Sequence, residues 1–185
     1  MAVTPAVPRD ASPKEWRWFP VVVVTLLIVL VAEGARSVAD ATVPAAGPVM
    51  LGSVRVQPQP GWQVEGPATP TFVRLHKGPV VLDVAVGGPV PGGPVLLATL
   101  YRERQLEPAF AQFAQGLPES TLLPSGVAAI RFTYVGVTAD GVAVEGLVVA
   151  VDTVDRSVVF DARAPSGELP GALDDIRAMI EGATL

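Results

Sequence analysis

Short segments in which apolar and polar residues alternate fill the chain from about Leu51 onward, and Gly and Pro separate them. This period of two is typical of half-buried strands. The clearest pair, within "TFVRLHKGPVVLDVAVGG", predicts a hairpin whose turn lies at His76-Lys77-Gly78. The apolar residues of its second strand share one face, and Asp83 lies on the other.

Three further strands are predicted near the C-terminal end. The first places Ile130, Phe132 and Tyr134 on one face, and "TADG" then supplies a hairpin turn. In the second strand, "VAVEGLVVAVD", the alternation slips by one residue at Glu145-Gly146. Such a slip predicts a β-bulge at that point.

Polar residues of these strands are the main candidates for a surface that contacts a partner. The third strand directs Phe160 inward and Asp161 and Arg163 outward, and Arg131 is expected on the same outward face. These charges form either ordinary surface ion pairs or a small partner-binding surface. Trp62 follows a Pro-Gly turn and either plugs the core or belongs to that surface.

Two segments show helical spacing instead. In "VLLATLYRERQLEPAFAQF", Pro108 is expected to break or restart the helix, with Phe110 and Phe113 on the continuing apolar side. The closing segment carries an amphipathic stripe formed by Leu169, Leu173, Ile176 and Ile180. Antiparallel strands with segregated helices predict an α+β fold, an antiparallel sheet with helices packed on it.

A long apolar segment precedes this domain. No charged residue occurs from Phe19 to Ala32, which predicts one transmembrane helix over residues 19–32, or 16–32 with its aromatic flank. Basic residues are concentrated before it, so the positive-inside rule places the N-terminus in the cytoplasm and the domain outside. The residues expected to hold this anchor in the bilayer are Trp16, Trp18, Phe19, Val21, Leu26, Leu27, Ile28 and Leu30.

A cleaved signal peptide is the alternative interpretation of this segment. A small-x-small site at Ala39-Asp40-Ala41 would release a secreted form after cleavage near Ala41. Either way the domain, residues 51–185, is extracytoplasmic. Residues 1–18 are predicted to be a disordered cytoplasmic tail, and residues 33–50 a linker.

Composition narrows the function by exclusion. The 185 residues carry a net charge of −5, which disfavours binding to nucleic acid. The absence of cysteine excludes disulfides, thiol nucleophiles and a lipid-modified cysteine. Abundant Ala, Val, Gly and Pro, with Arg preferred to Lys, indicate a GC-rich bacterium such as an actinobacterium.

No catalytic, cofactor or metal site is predicted. His76 is the only histidine and is expected to be an exposed turn residue. Ser125 lies in a turn and not in a nucleophile elbow. Asp152 and Asp155 flank a turn but offer too few oxygens for Ca²⁺.

The order of these elements resembles the Mog1/PsbP-like α/β/α sandwich. The features that carry the resemblance are the "P-x-P-G-W" entry at Pro58 to Trp62, the following hairpin, the helix, the three-strand meander and the closing helix. The actinobacterial branch of exported LpqN-type proteins is especially similar. The resemblance covers roughly residues 51–183 and implies a non-enzymatic accessory protein that binds other proteins. This chain departs from the lipoprotein branch because it lacks the lipid-attachment cysteine, and a transmembrane helix would replace that anchor.

Together these patterns predict a single-pass, membrane-anchored accessory or scaffold domain that binds another envelope protein without catalysis. One alternative is a small-ligand or lipid-binding module with a groove between sheet and helix. The other is a cell-envelope hydrolase, which would need a cluster of His76 with a carboxylate and a serine.

Overall fold

The computed structural model describes residues 43–44 and 47–185. The predicted cytoplasmic tail, the transmembrane segment with its anchor residues from Trp16 to Leu30, and most of the predicted linker lie outside these residues. Within the described part, no helix is long and apolar enough to cross a bilayer. Strand pairing begins at Val43, before the Leu51 boundary predicted for the domain.

Antiparallel strands dominate the described residues, and two α-helices accompany them. The strands are β1 Val43–Pro44, β2 Val49–Leu51, β3 Val54–Val56, β4 Gln63–Glu65, β5 Phe72–Lys77, β6 Val80–Gly87, β7 Gln112–Gln115, β8 Glu119–Leu122, β9 Ala128–Val137, β10 Ala143–Asp152 and β11 Ser157–Pro165. The helices are α1 Gly93–Tyr101 and α2 Leu173–Glu181. A π-helical turn, Arg102–Leu106, and a 3₁₀ turn, Glu107–Ala109, follow α1, and a 3₁₀ turn, Leu169–Ala172, precedes α2.

Among the described residues, nine strands form one antiparallel sheet in the order β1-β4-β5-β6-β11-β10-β9-β7, with β8 beside β7 on the outer edge of β9. β2 and β3 form a separate hairpin. The predicted strand pair of β5 and β6 and the meander β9-β10-β11 are confirmed. The turn between β9 and β10 closes with a hydrogen bond from Gly141 N–H to the Thr138 carbonyl.

One face of the sheet, the α2 face, packs against α2 and the β2-β3 hairpin. Phe160, Leu82 and Leu75 lie fully buried there against Ile176 and Met179 of the helix. The C-terminal Thr184 exchanges two backbone hydrogen bonds with Arg55 of β3, which joins the end of the chain to the hairpin. The predicted stripe of α2 therefore contributes to the main core.

The opposite face, the α1 face, packs against α1. Phe132, Val148 and Val159 are buried beneath Ala98, and Leu106 of the π turn extends this second cluster. The sheet is thus covered by one α-helix on each face.

Three local predictions are wrong. Pro108 lies in the 3₁₀ turn that follows α1 and the π turn, as expected of a helix-breaking residue, but Phe113 lies in β7 and not on the continuing apolar side of a helix. No bulge interrupts β10, whose register with β9 and β11 runs without a break through Glu145 and Gly146. His76 is a half-buried residue of β5 and not a turn residue.

Candidate functional site

A chain of alternating charges crosses the α1 face where α1 ends. Arg74 donates from Nε and Nη2 to the two oxygens of Asp83, at 2.7 and 2.9 Å. Arg163 bridges the two acids, since its Nη2 lies 2.7 Å from Asp83 Oδ2 and its Nη1 lies 3.0 Å from Asp161 Oδ2. The register explains this, because Arg74, Asp83 and Asp161 occupy facing positions on three neighbouring strands.

Two phenols complete the surroundings of Asp161. Tyr134 Oη donates to Asp161 Oδ1 at 2.8 Å, and Tyr101 Oη donates to Asp161 Oδ2 at 3.0 Å. Tyr101 is the last residue of α1, so its hydrogen bond ties the helix to β11. These six residues, Arg74, Asp83, Tyr101, Tyr134, Asp161 and Arg163, are called the Arg-Asp-Tyr network below.

Gly146 makes room for Tyr134. Tyr134 lies on β9 and must reach across β10 to contact Asp161 on β11. A Cβ on Gly146 would lie 2.2 Å from Tyr134 Cζ, far inside contact distance. Gly146, where the sequence predicts a bulge, therefore has no side chain because the Tyr134 ring occupies that space.

Burial and mutual contacts shift the ionisation of the network. Burial raises the pKa of the Asp161 carboxyl, while Arg163 and the two phenols partly oppose that rise. Burial, followed by the charge of Asp161, also raises the pKa of both Tyr101 and Tyr134. Burial alone would lower the pKa of Arg163, but Asp161 and Asp83 raise it overall. Both guanidiniums and both phenols therefore keep their protons at neutral pH.

An open cleft of about 680 Å³ lies over this network. Its floor is polar and includes Arg74, Asp83, Asp161 and Arg163. Its walls are mostly apolar and come from Phe72, Ala85, Leu106, Ala109, Phe110 and Val144. Tyr101, Gln105 of the π turn and Thr138 complete the lining. This space is called the network cleft.

A second depression, of about 720 Å³, lies on the α2 face beyond the N-terminal end of α2. Its apolar lining includes Leu117, Val135, Leu147, Pro170 and Leu173. Two exposed ion pairs flank it, Arg131 with Glu119 at 2.7 Å and Arg177 with Asp174 at 3.3 Å. Glu145 also lines it and accepts hydrogen bonds from the backbone N–H groups of Gly167 and Leu169. This space is called the edge groove.

The four residues predicted for a partner surface do not lie together. Asp161 and Arg163 share a face as predicted, but Asp161 is buried beneath α1 and not outward in solvent. Arg131 lies on the opposite face, because it pairs in register with Val149 and not with Val148. Trp62 is buried, and its Nε1 donates to Asp175 Oδ2 of α2 at 3.1 Å.

The hydrolase hypothesis required His76 beside a carboxylate and a serine. Among the described residues, no carboxylate or hydroxyl hydrogen-bonds to His76, and its buried Nε2 has no partner. Within the same residues, no three His, Asp or Glu side chains are grouped as a metal site requires. Asp152 accepts a hydrogen bond from the Val90 N–H at 3.0 Å, which fixes the loop before α1.

Sequence reasoning missed Arg74, Asp83, Tyr101 and Tyr134 as members of one site. The available signal was a set of charges at alternate positions of otherwise apolar strands, together with a glycine opposite a tyrosine. Neither pattern identifies a site until the strand register is known, because the register decides which charged residues face each other.

No protein-family model matches the chain, and no curated protein matches it. Its fold is similar to the solution structure of cyanobacterial PsbP (CyanoP) from Synechocystis, which is 9% identical with a TM-score of 0.56; the match covers 78% of this chain and 95% of that chain. The protein Mog1, in a mutant form, is 12% identical with a TM-score of 0.50 and coverages of 75% and 94%. A Pseudomonas aeruginosa protein of unknown function is 13% identical with a TM-score of 0.47 and coverages of 75% and 85%. The similarity to PsbP and Mog1 is one of architecture alone, and the antiparallel α+β domain has a Mog1/PsbP-like fold.

Proposed function

We propose that this chain is a membrane-anchored, extracytoplasmic accessory protein, similar to the LpqN-type exported proteins, whose domain binds another envelope protein without catalysis. The observation that carries the proposal is the edge groove. Leu117 and Val135 are 89% and 58% exposed beside it, although each would be more stable buried. They line the groove together with Leu147, Pro170 and Leu173, and exposed apolar patches rimmed by polar residues mark protein-interaction sites.

The form of the edge groove favours a protein segment as its occupant. Leu147 and Leu173 are half-buried at its base, so an incoming apolar side chain would complete a partly formed core. The ion pairs of Arg131 with Glu119 and of Arg177 with Asp174 lie beside it in solvent. An apolar centre with a polar, hydrated rim is the usual anatomy of a protein interface.

The predicted anchor, residues 16–32, would hold this surface close to membrane partners. Tethering turns a second binding event into an intramolecular one and raises the effective concentration to about the millimolar range for short linkers. Weak binding by a single groove is then sufficient for a stable complex at the membrane.

The test is in-cell cross-linking followed by purification of the full-length tagged chain from the membranes of its own cells. Val135→Asp and Leu117→Asp each place a carboxylate in the edge groove, and recovery of the partner is expected to fall about tenfold or more. Val154→Asp is the matched control, because Val154 is 93% exposed away from the groove. Equal recovery from all four proteins, or no stoichiometric partner with the unaltered chain, would refute the proposal.

The anchor is tested separately by the mass of the N-terminal peptide and by alkaline extraction of membranes. A retained anchor predicts the N-terminal segment intact in the membrane pellet. A mature chain that begins after Ala41 and appears in the medium would show that the segment is a signal peptide. A secreted control for the binding assay should keep β1, whose Val43 and Pro44 pair with β4.

A further inference from the structure

We propose that the network cleft binds a small organic carboxylate, with its carboxylate on Arg74 and Arg163 and its apolar body against Phe72, Leu106 and Phe110. This site lies on the α1 face and is independent of the edge groove. Its volume of about 680 Å³ falls within the range of about 300–1,000 Å³ of small-molecule sites. Mostly apolar walls over a few convergent polar groups are also characteristic of such sites.

The charges of the network are arranged in two layers. The side chains of Arg74 and Arg163 are 35% and 29% exposed, whereas those of Asp83 and Asp161 are 9% and 1% exposed. The carboxylates therefore lie beneath the guanidiniums, and a ligand in the network cleft meets mainly positive groups. Because two acids lie below, the cleft is suited to a monoanion and not to a polyphosphate.

The hydrogen-bonding groups of the network have donors to spare. Each guanidinium has five N–H donors, and Arg74 and Arg163 each use two of them on carboxylates of the described residues. The acids already accept from both arginines and both phenols. A ligand that presents oxygen acceptors fits this surplus, and a carboxylate matches the planar donor fork of an arginine.

The wall of the cleft contains an irregular helical turn. The π turn Arg102–Leu106 contributes Gln105, which is exposed, and Leu106, which is buried. Single π turns are rare and occur frequently at functional sites. This one directly follows Tyr101, so it links the wall of the cleft to the hydrogen bond with Asp161.

The competing interpretation is that the network only fastens α1 to the sheet. It predicts that small acids bind the cleft no better than their neutral analogues. The proposal predicts a preference for the carboxylate that depends on Arg74. The two interpretations therefore differ in ligand binding and not in stability.

The experiment titrates the full chain in neutral-detergent micelles with benzoate, phenylbutanoate and hexanoate, each against its amide. Calorimetry gives affinity, and the arginine Nε–H resonances report the site. We expect at least one acid to saturate the Arg74 and Arg163 signals and to bind about tenfold or more tightly than its amide. Equal binding of acid and amide, or no saturable shift with any of the three acids, would overturn the proposal.

Single substitutions test where the acid binds and leave most of the Arg-Asp-Tyr network intact. Arg74→Gln is expected to weaken the acid about tenfold, while Arg131→Gln, on the other face, changes affinity less than about twofold. Ala109→Phe fills the cleft without altering any network residue and is expected to abolish binding. Retained binding in Ala109→Phe, or equal losses in Arg74→Gln and Arg131→Gln, would place the ligand elsewhere. If the unaltered chain binds none of the three acids while recovery of the partner is intact, this site is refuted and the accessory function still stands.

Discussion

The two faces of the sheet are built from the same strands but held by different forces. On the α2 face, Phe160, Leu82 and Ile176 pack in an apolar core, and no charged side chain in the described part of the chain is buried there. On the α1 face, an apolar cluster around Phe132 lies beside the Arg-Asp-Tyr network. Successive residues of a strand face opposite sides of the sheet. The same strands therefore present apolar residues on the α2 face and charged residues on part of the α1 face.

The difference has an energetic consequence. Apolar burial gains free energy roughly in proportion to area and does not require directed contacts. A buried ion pair gains only when every partner is in place, because a charge left alone keeps its desolvation cost. The α2 face should therefore respond to lost volume, and the α1 face to lost partners.

The largest effect is expected from Phe160→Ala. Phe160 is fully buried on the α2 face, so truncation leaves a cavity and should lower the free energy of unfolding by about 3–5 kcal/mol. Urea denaturation followed by circular dichroism measures this loss. Val154→Ala, at a fully solvated turn, should stay within about 0.5 kcal/mol of the unaltered protein. A loss below about 1 kcal/mol for Phe160→Ala would contradict the assignment of the main core to this face.

Arg163→Met is expected to cost about 2–3 kcal/mol, less than for a fully buried pair because the Arg163 side chain is 29% exposed. It leaves Asp161 buried without its cation. The double variant Arg163→Met with Asp161→Leu removes both charges and should recover part of this loss. Additive losses in the double variant would mean that the two residues do not act as a pair.

Gly146→Ala tests the passage of Tyr134 across β10. The added methyl group would overlap the ring, so unfolding free energy should fall by about 1–3 kcal/mol. Gly88→Ala is the control, since open space surrounds that position and its φ is not left-handed. Tyr134→Ala removes the ring and therefore the clash. Adding Gly146→Ala to a chain that already carries Tyr134→Ala should then lower the unfolding free energy less than Gly146→Ala does alone. Equal effects of Gly146→Ala and Gly88→Ala would show that the ring lies elsewhere.

The smallest effect is a pH dependence that belongs to Asp161. Because burial raises its folded-state pKa, its contribution to stability is fully present below the unfolded pKa of about 3.9 and is lost as pH rises through the folded pKa. Asp161→Asn stays neutral and lacks this term. The unfolding free energy of the unaltered protein minus that of the variant should therefore fall as pH rises from about 4. If this difference in unfolding free energy instead grows with pH, folding lowers the pKa of Asp161 and does not raise it.

Asp175 provides an internal check on that experiment. Hydrogen bonds from Lys77 and Trp62 lower the pKa of Asp175, so its contribution is present above about 3.9 and is lost as pH falls through its folded pKa. Both proteins contain Asp175, and its term cancels in the difference. The slope that remains reports Asp161 alone.

Alternation along the strands is enough to predict the hairpin and the meander, and helical spacing is enough to predict the amphipathic stripe of α2. Alternation is also enough to separate Asp161 and Arg163 from Phe160. It failed for their solvent exposure, because periodicity gives the face of a residue but not whether a helix covers that face. α1 covers part of this face, and the charges on the strands form a partly buried network there.

The site was less predictable than the fold because it depends on contacts between distant strands. The slip in alternation at Gly146 predicts a bulge, but a glycine that leaves space for a ring produces the same pattern along the chain. The prediction that Arg131 shares a face with Asp161 is wrong, because alternation within one strand does not show which of its two faces matches a given face of another strand. Both errors concern register, which hydrogen bonding between strands sets.

The central claim, that the edge groove binds an envelope protein, is tested most directly by a photo-reactive amino acid at position 135 or position 154 of the full chain in its own cells. We predict one defined adduct from position 135, its loss with Leu117→Asp, and no matching adduct from position 154. The partner, identified by mass spectrometry and tagged in turn, should recover this chain. Adducts of equal yield from both positions, or an adduct at 135 that persists with Leu117→Asp, would contradict the account.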